Sequence, residues 1–145
     1  MSDGPERKYI HRVHNAIDPE WNLHKQGNTG IMGVNGTPDY YYEGFQSVTW
    51  IEYKYVKTLP QRFLIVDVAC RFKVTPLQRR WLNRAVKNQV RVAVVLGSEE
   101  GALIIEKGRW EEYISVHDNR IANRLVTPGE VAHFAAGFEN NRVAI

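Results

Sequence analysis

Apolar residues alternate with polar ones along some stretches of the chain and recur every three or four positions along others, and the change of period marks out the elements. Tyr9, Ile10, Val13 and Ile17 recur at helical spacing. Ahead of them Asp3 can cap, Pro5 suits the first turn, and Glu6 sits where a helix start favours negative charge, so the spacing predicts a first helix. Trp21–Lys25 reads as a short strand, followed by glycines at 27, 30, 33 and 36 that make a loop. Strands are expected over Asp39–Glu43 and Val48–Val56, joined by a turn around Gly44. Asp39, Tyr41 and Glu43 share one face of the first. Val48, Trp50, Glu52 and Lys54 share one face of the second, with Thr49, Ile51, Tyr53 and Tyr55 opposite. "RFLIVDVACRF" reads as a further strand or an inserted hairpin arm. In "TPLQRRWLNRAVKNQ" Thr75 caps, Pro76 opens, and Leu77, Trp81, Leu82, Ala85 and Val86 form the apolar stripe of a helix. Val90–Leu96 reads as a buried strand, "GALIIEKGRWEEYI" as a hairpin turning at Lys107-Gly108, and "TPGEVAHFAAGF" as a last helix with a Thr127–Glu130 capping box. The sum is one α/β domain over residues 1–145, a mixed central β-sheet flanked by helices.

Composition narrows the class. The 145 residues suffice for one hydrophobic core and are too few for two of ordinary size. With 43% hydrophobic and 24% charged residues the chain is globular rather than disordered. A net charge of +3 and a pI near 9.1 lean toward a polyanionic partner, a lean shared by many proteins that bind no nucleic acid. The single cysteine, Cys70, excludes an intrachain disulfide and a cysteine zinc cluster, and fits a reducing cytoplasm. A polar start, "MSDGPERK", and an apolar run no longer than "FLIV" before Asp67 predict a soluble cytoplasmic protein with no membrane partner.

The chemistry centres on charges placed on apolar strands. Asp39 on one strand and Glu52 and Lys54 on the next can bring two carboxylates and an ammonium to one point. Hard divalent cations such as magnesium take a few carboxylate oxygens and keep several waters, leaving positions for a phosphate oxygen and an attacking water. Lys54 can then orient or deprotonate that water, or neutralise charge on the phosphate. The plain alternatives are a Pro-Asp turn and a solvated Glu-X-Lys face. Gln78 completes a capping box with Thr75 and can also contact the water. Arg79, Arg80, Arg84 and Lys87 lie off the apolar stripe, where they are either solvated or grip DNA phosphates, and Lys25 is a further candidate for a phosphate contact. No Gly-Lys-Ser/Thr follows the glycine loop, so no nucleotide cofactor is expected. His11 and His14 sit three apart with no third ligand nearby and read as surface histidines, and His117 and His133 have no context. Tyr40, Tyr41 and Tyr42 suit either base stacking or strand packing, and Asp67 either a capping acid or an extra site carboxylate.

"GTPDYYYEG" followed by "IEYK", with Gln at the start of the next helix in "TPLQRRWL", resembles the PD-(D/E)XK nuclease superfamily, and within it the small VRR-NUC and Holliday-junction-resolvase-like nucleases, many of them phage-encoded. The matching order runs from Glu6 through Gly36–Asp39 and Glu52–Lys54 to Gln78, over roughly residues 5–96, with an insertion over 55–74. The resemblance implies a restriction-endonuclease-like core and a DNA endonuclease using magnesium, with manganese as a substitute. It implies metal held by Asp39, Glu52, the Tyr53 backbone carbonyl and Glu6, with Asp39, Glu52, Lys54 and Gln78 catalytic. It further implies a homodimer, a preference for branched or junction DNA, and action in a host cytoplasm. The alternative is a catalytically silent nuclease fold that only binds nucleic acid.

Overall fold

A computed structural model describes residues 4–27, 36–45, 47–116 and 125–138. Helix α1 (Pro5–Asn15) leads through a helical turn at Pro19–Trp21 into β1 (His24–Gly27). Strands β2 (Tyr40–Glu43) and β3 (Val48–Tyr55) follow. After β3 come the short strand β4 (Arg62–Phe63), helix α2 (Pro76–Lys87), and strands β5 (Val92–Ser98) and β6 (Gly101–Glu106). A turn at Arg109–Glu111, strand β7 (Ile114–Ser115) and helix α3 (Pro128–Ala135) complete the described chain. The expected α/β architecture with a mixed sheet is present: five strands in the order β1-β2-β3-β5-β6, with β3 and β5 parallel and the other neighbours antiparallel.

Alternation along the central strands decides which helix lies where. Ile51, Tyr53, Ala93 and Val95 pack with Tyr9, Ile10 and Val13 of α1 and with Val131, Phe134 and Ala135 of α3. The intervening Val92, Val94 and Leu96 pack with Leu82 and Ala85 of α2. The sheet is thus covered on both faces, which is why β5 is buried at every position and reads as an uninterrupted apolar run. Parallel pairing of β3 and β5 requires a crossover, and α2 is its helix.

Several expectations shift. Trp21–Lys25 is not one strand: Asp18 accepts the Glu20 N–H and closes a turn through Trp21, so pairing begins only at His24. Asp3 and residues 28–35 of the glycine loop lie outside the described residues. "RFLIVDVACRF" yields only two strand residues. Asp67 breaks the rest, its side chain accepting the Ala69 N–H while backbone turns close from Asp67 to Leu64 and from Cys70 to Asp67. Asp67 is therefore a turn residue. The β6 hairpin closes at its start, around Glu99–Glu100, rather than at Lys107-Gly108. Lys107 and Gly108 instead carry the chain, both at positive φ, into the turn that buries Trp110 completely. The indole N–H donates to Asn83 at 2.8 Å, and the following residues pair as β7 with β4. Burial of one tryptophan outweighs continuation of a strand.

Gly97 of β5 lies against the α1 face, where a Cβ would stand 2.9 Å from the ring of Tyr9. Gly97→Ala is expected to lower stability by about 1–3 kcal/mol, as overpacking of a closed core does. Urea denaturation should show a lower midpoint with an unchanged slope; an unchanged midpoint would mean that α1 is not seated there.

Candidate active site

The site lies at the carboxyl end of β3, where residues 36–39 and the first turns of α1 and α2 meet. Gly36 touches α2 directly: its φ is +89°, and a Cβ would fall 2.4 Å from the Leu77 carbonyl oxygen. Only glycine fits such an approach, and it sets Pro38, which is buried, and Asp39 beside the start of α2. Asp39 falls one residue short of β2, so it ends the ladder rather than joining it. Its Oδ2 accepts the Tyr53 N–H at 2.8 Å. Because the N–H and C=O of one strand residue point to the same edge, the Tyr53 carbonyl faces that edge too.

Glu52 and Lys54 lie on the α2 face of β3, as alternation requires. Glu52 is only 2% exposed. Gln78 joins the two: its Nε2 donates to Glu52 Oε2 at 3.1 Å, and its Oε1 accepts from Lys54 Nζ at 3.1 Å and from the Thr75 N–H at 2.9 Å. Thr75 Oγ1 accepts the Gln78 N–H in return, so the capping role and the site role are carried by one side chain. Lys54 Nζ stands 3.4 Å from Glu52 Oε2, while Glu52 Oε1 is buried without a hydrogen-bond partner.

Charge explains what this arrangement does to protons. Burial, then the nearby Asp39 carboxylate, push the Glu52 carboxyl up to about 9, with Lys54 opposing. Glu6, exposed in the first turn of α1, is raised by desolvation from the neighbouring protein and then by Asp39, again opposed by Lys54. Glu6 therefore shares the electrostatic neighbourhood of Asp39 and Lys54. A buried carboxyl with one unmatched oxygen beside a second carboxylate takes either a proton or a cation. Magnesium needs few protein oxygens, so Asp39, Glu52, the Tyr53 carbonyl and Glu6 are a chemically fitting donor set. Among the described residues no group of three or more His, Cys, Asp or Glu side chains gathers as a ready-made metal cage.

The basic candidates fare differently. Arg79 is taken by Glu111, with Nε to Oε1 at 2.7 Å and Nη2 to Oε2 at 2.6 Å, so it ties α2 to the turn after β6 instead of offering its guanidinium to a phosphate. Arg80, Arg84 and Lys87 are exposed. At about 100° per residue they fall on the side of α2 away from Gln78, Leu82 and Ala85. Lys25 is exposed on β1 opposite Tyr42, on the α1 side of the sheet, and so is not brought to the α2 side where Glu52 and Lys54 project. His14 is not a surface histidine. It is half-buried, bonds Tyr42 Oη at 2.9 Å, and is held down to about 4, first by desolvation and then by Lys25 and His11. Tyr42 in turn shares a 2.6 Å hydroxyl contact with Tyr53, forming a buried chain behind the strand residue that holds Asp39. The Glu111 partner and this hydroxyl chain leave no local sequence signal, since their members are 11 to 32 residues apart.

No protein-family model matches the chain, and neither a curated protein nor a solved structure matches it. Among the described residues no helix is long and apolar enough to cross a membrane.

Folded Glu52 and Glu6 hold protons more tightly than the unfolded chain, so metal-free stability falls as pH rises toward about 9. His14, held down to about 4 from 6.5, acts in the opposite sense below pH 6.5, where the unfolded imidazole takes up the proton. Between pH 6.5 and about 8, below the range where Cys70 and the buried tyrosines add a decline of the same sign, the carboxyl effect stands clear, with a slope on the order of 1 kcal/mol per pH unit from Glu52. Urea unfolding across that window in EDTA should show the decline, and Glu52→Gln should flatten it. A variant that keeps the full slope would place the raised proton affinity elsewhere.

Proposed function

We propose that the chain is a metal-dependent phosphodiester hydrolase acting on DNA, built on a restriction-endonuclease-like core of the PD-(D/E)XK type. The observation that carries this reading is the convergence of Asp39, Glu52, Lys54 and Gln78 from three separate segments, with Glu52 buried and one of its oxygens unmatched. A plain solvated Glu-X-Lys face has no reason to bury its glutamate to 2%. Asp39, Glu52, the Tyr53 carbonyl and Glu6 would hold magnesium or manganese. The bound ion supplies Lewis-acid polarisation of a phosphate oxygen and acidifies a water.

The chain's own groups do the rest. Gln78 fixes the Lys54 ammonium through one amide atom and Glu52 through the other, so neither side chain swings freely. As an ammonium, Lys54 would offset charge on a phosphate and orient the attacking water. The amino-terminal turn of α2, capped by Thr75, adds a positive backbone field on the same side. Branched or junction DNA as the preferred form, and pairing of two copies across two antiparallel strands, belong to the same proposal.

A labelled panel of junction, flap, duplex and single-stranded DNA tests it. Cleavage is expected in magnesium or manganese and none in EDTA; full activity in EDTA would remove the metal from the reading. Asp39→Asn keeps the side-chain volume, so the thermal transition and DNA binding should persist while cleavage falls to background. A variant cutting as fast as wild type, or a wild type that binds without cutting, would leave a binding module. Gln78→Glu keeps the acceptor for Thr75 and Lys54 but loses the donor to Glu52. Turnover should fall on the order of 10²-fold, and the second carboxyl beside buried Glu52 should lower the melting temperature while leaving a cooperative thermal transition.

A further inference from the structure

Past the end of β3 the insertion over 55–74 encloses a cavity of about 350 Å³. Its lining begins at Val56, two residues past Lys54 and just beyond the end of β3, among the side chains packed on the α2 side. All of the lining except Tyr113 comes from the insertion over 55–74, and the β4–β7 pairing brings the segment that carries Tyr113 against it. The lining runs from Val56, two residues past Lys54, to Phe72, three residues before Thr75 at the start of α2, so both ends of the cavity-forming segment join the elements that carry Lys54 and Gln78.

The lining has the chemistry of a base-binding site. The Arg62 guanidinium stacks over the Tyr113 ring at 3.9 Å, and Tyr113 remains 54% exposed. Phe63 and Phe72 meet edge to face nearby, 5.3 Å between ring centres. A flat aromatic and guanidinium surface is what an unstacked base lies against. Asp67 in the lining disfavours a phosphate there but can accept from the exocyclic amino group of a base. Arg71, exposed at the rim, adds positive charge for the sugar–phosphate backbone outside.

We propose that this cavity receives an unpaired base next to the scissile phosphate, so that the protein selects DNA with a single-stranded nucleotide at the cut site, as in a flap, gap or opened junction, over continuous duplex. The inference rests on the hydrolase reading for the word "scissile" alone; the base site itself is a matter of binding. It gives the insertion over 55–74 a task. A base held in a continuous duplex is stacked and paired on both sides, and reaching the cavity would require its extrusion.

The test uses the full chain in calcium, with binding and cleavage measured separately. Oligonucleotides carrying 2-aminopurine are presented single-stranded, at a flap junction, and within continuous duplex. Wild type is expected to bind the first two more tightly and to change 2-aminopurine fluorescence by stacking at one position. Tyr113→Ala and Arg62→Gln, both exposed and outside the proposed catalytic group, should weaken single-stranded and flap binding by about 5- to 100-fold and abolish that signal, with duplex binding unchanged. Retained melting temperatures exclude unfolding as the cause. Equal wild-type affinity for all three forms, or variants that bind the single-stranded and flap forms like wild type, would overturn the proposal. If no substrate is cut in magnesium or manganese while the stacking signal still depends on Tyr113, the hydrolase reading fails and the base site stands. If cutting is seen but is indifferent to Tyr113 and Arg62 on every substrate, the base site fails and the hydrolase reading stands.

Discussion

A carboxyl group buried on the central strand of a sheet must be met by something, and here Gln78 meets one oxygen of Glu52. One amide reaches three ways: to the buried acid, to the Lys54 ammonium, and to the backbone at the start of its own helix. The amide cannot serve all three unless α2 begins at Thr75, packs over β3, and keeps its first turn directed at the carboxyl end of that strand. Leu82 and Ala85 against Val94 and Leu96 supply that packing. The position of Gly36 against Leu77 then brings Asp39 to the same place. Much of the geometry around the site follows from giving one oxygen of a buried acid its partner, because a buried polar atom left without one costs on the order of 1–3 kcal/mol.

Two layers of the molecule are engaged in that task from opposite sides. On the α2 side, Arg79 and Asn83 grip Glu111, and Asn83 also takes the Trp110 indole, so the helix is fastened to the turn after β6. On the α1 side, His14, Tyr42 and Tyr53 join hydroxyl to imidazole in a buried chain that stiffens the strand bearing the Asp39 contact. Neither set touches the cluster as a donor to substrate. Both restrict how far its groups can move, which matters where displacements of an ångström change rates.

The elements with strong local signals were legible in the sequence. Alternation from Val48 onward placed Glu52 and Lys54 on one face, and the Thr75 and Thr127 capping boxes marked two helix starts, because each depends only on neighbours within a few residues. The spacing of Asp39, Glu52, Lys54 and Gln78 was equally legible, and the structure brings these four together. What escaped were outcomes decided at long range. A run as apolar as "RFLIVDVACRF" reads as strand until Asp67 folds it into turns. Arg79 reads as an open basic residue until Glu111, far along the chain, closes on it. The segment after β6 reads as a hairpin arm until Trp110 finds the core.

That last segment has a consequence for how the molecule comes to be built. Every residue of the cluster precedes β5, yet the turn that fastens α2 and the strand that pairs with β4 come after β6. During synthesis the cluster residues therefore emerge well before the parts that hold their helix in place, and a growing chain carries the charges without the finished site. Parallel pairing of β3 with β5 adds a second delay, since contacts between distant segments form late and slowly. The parts that fasten α2 are thus the last to arrive at a site whose charged residues are made first.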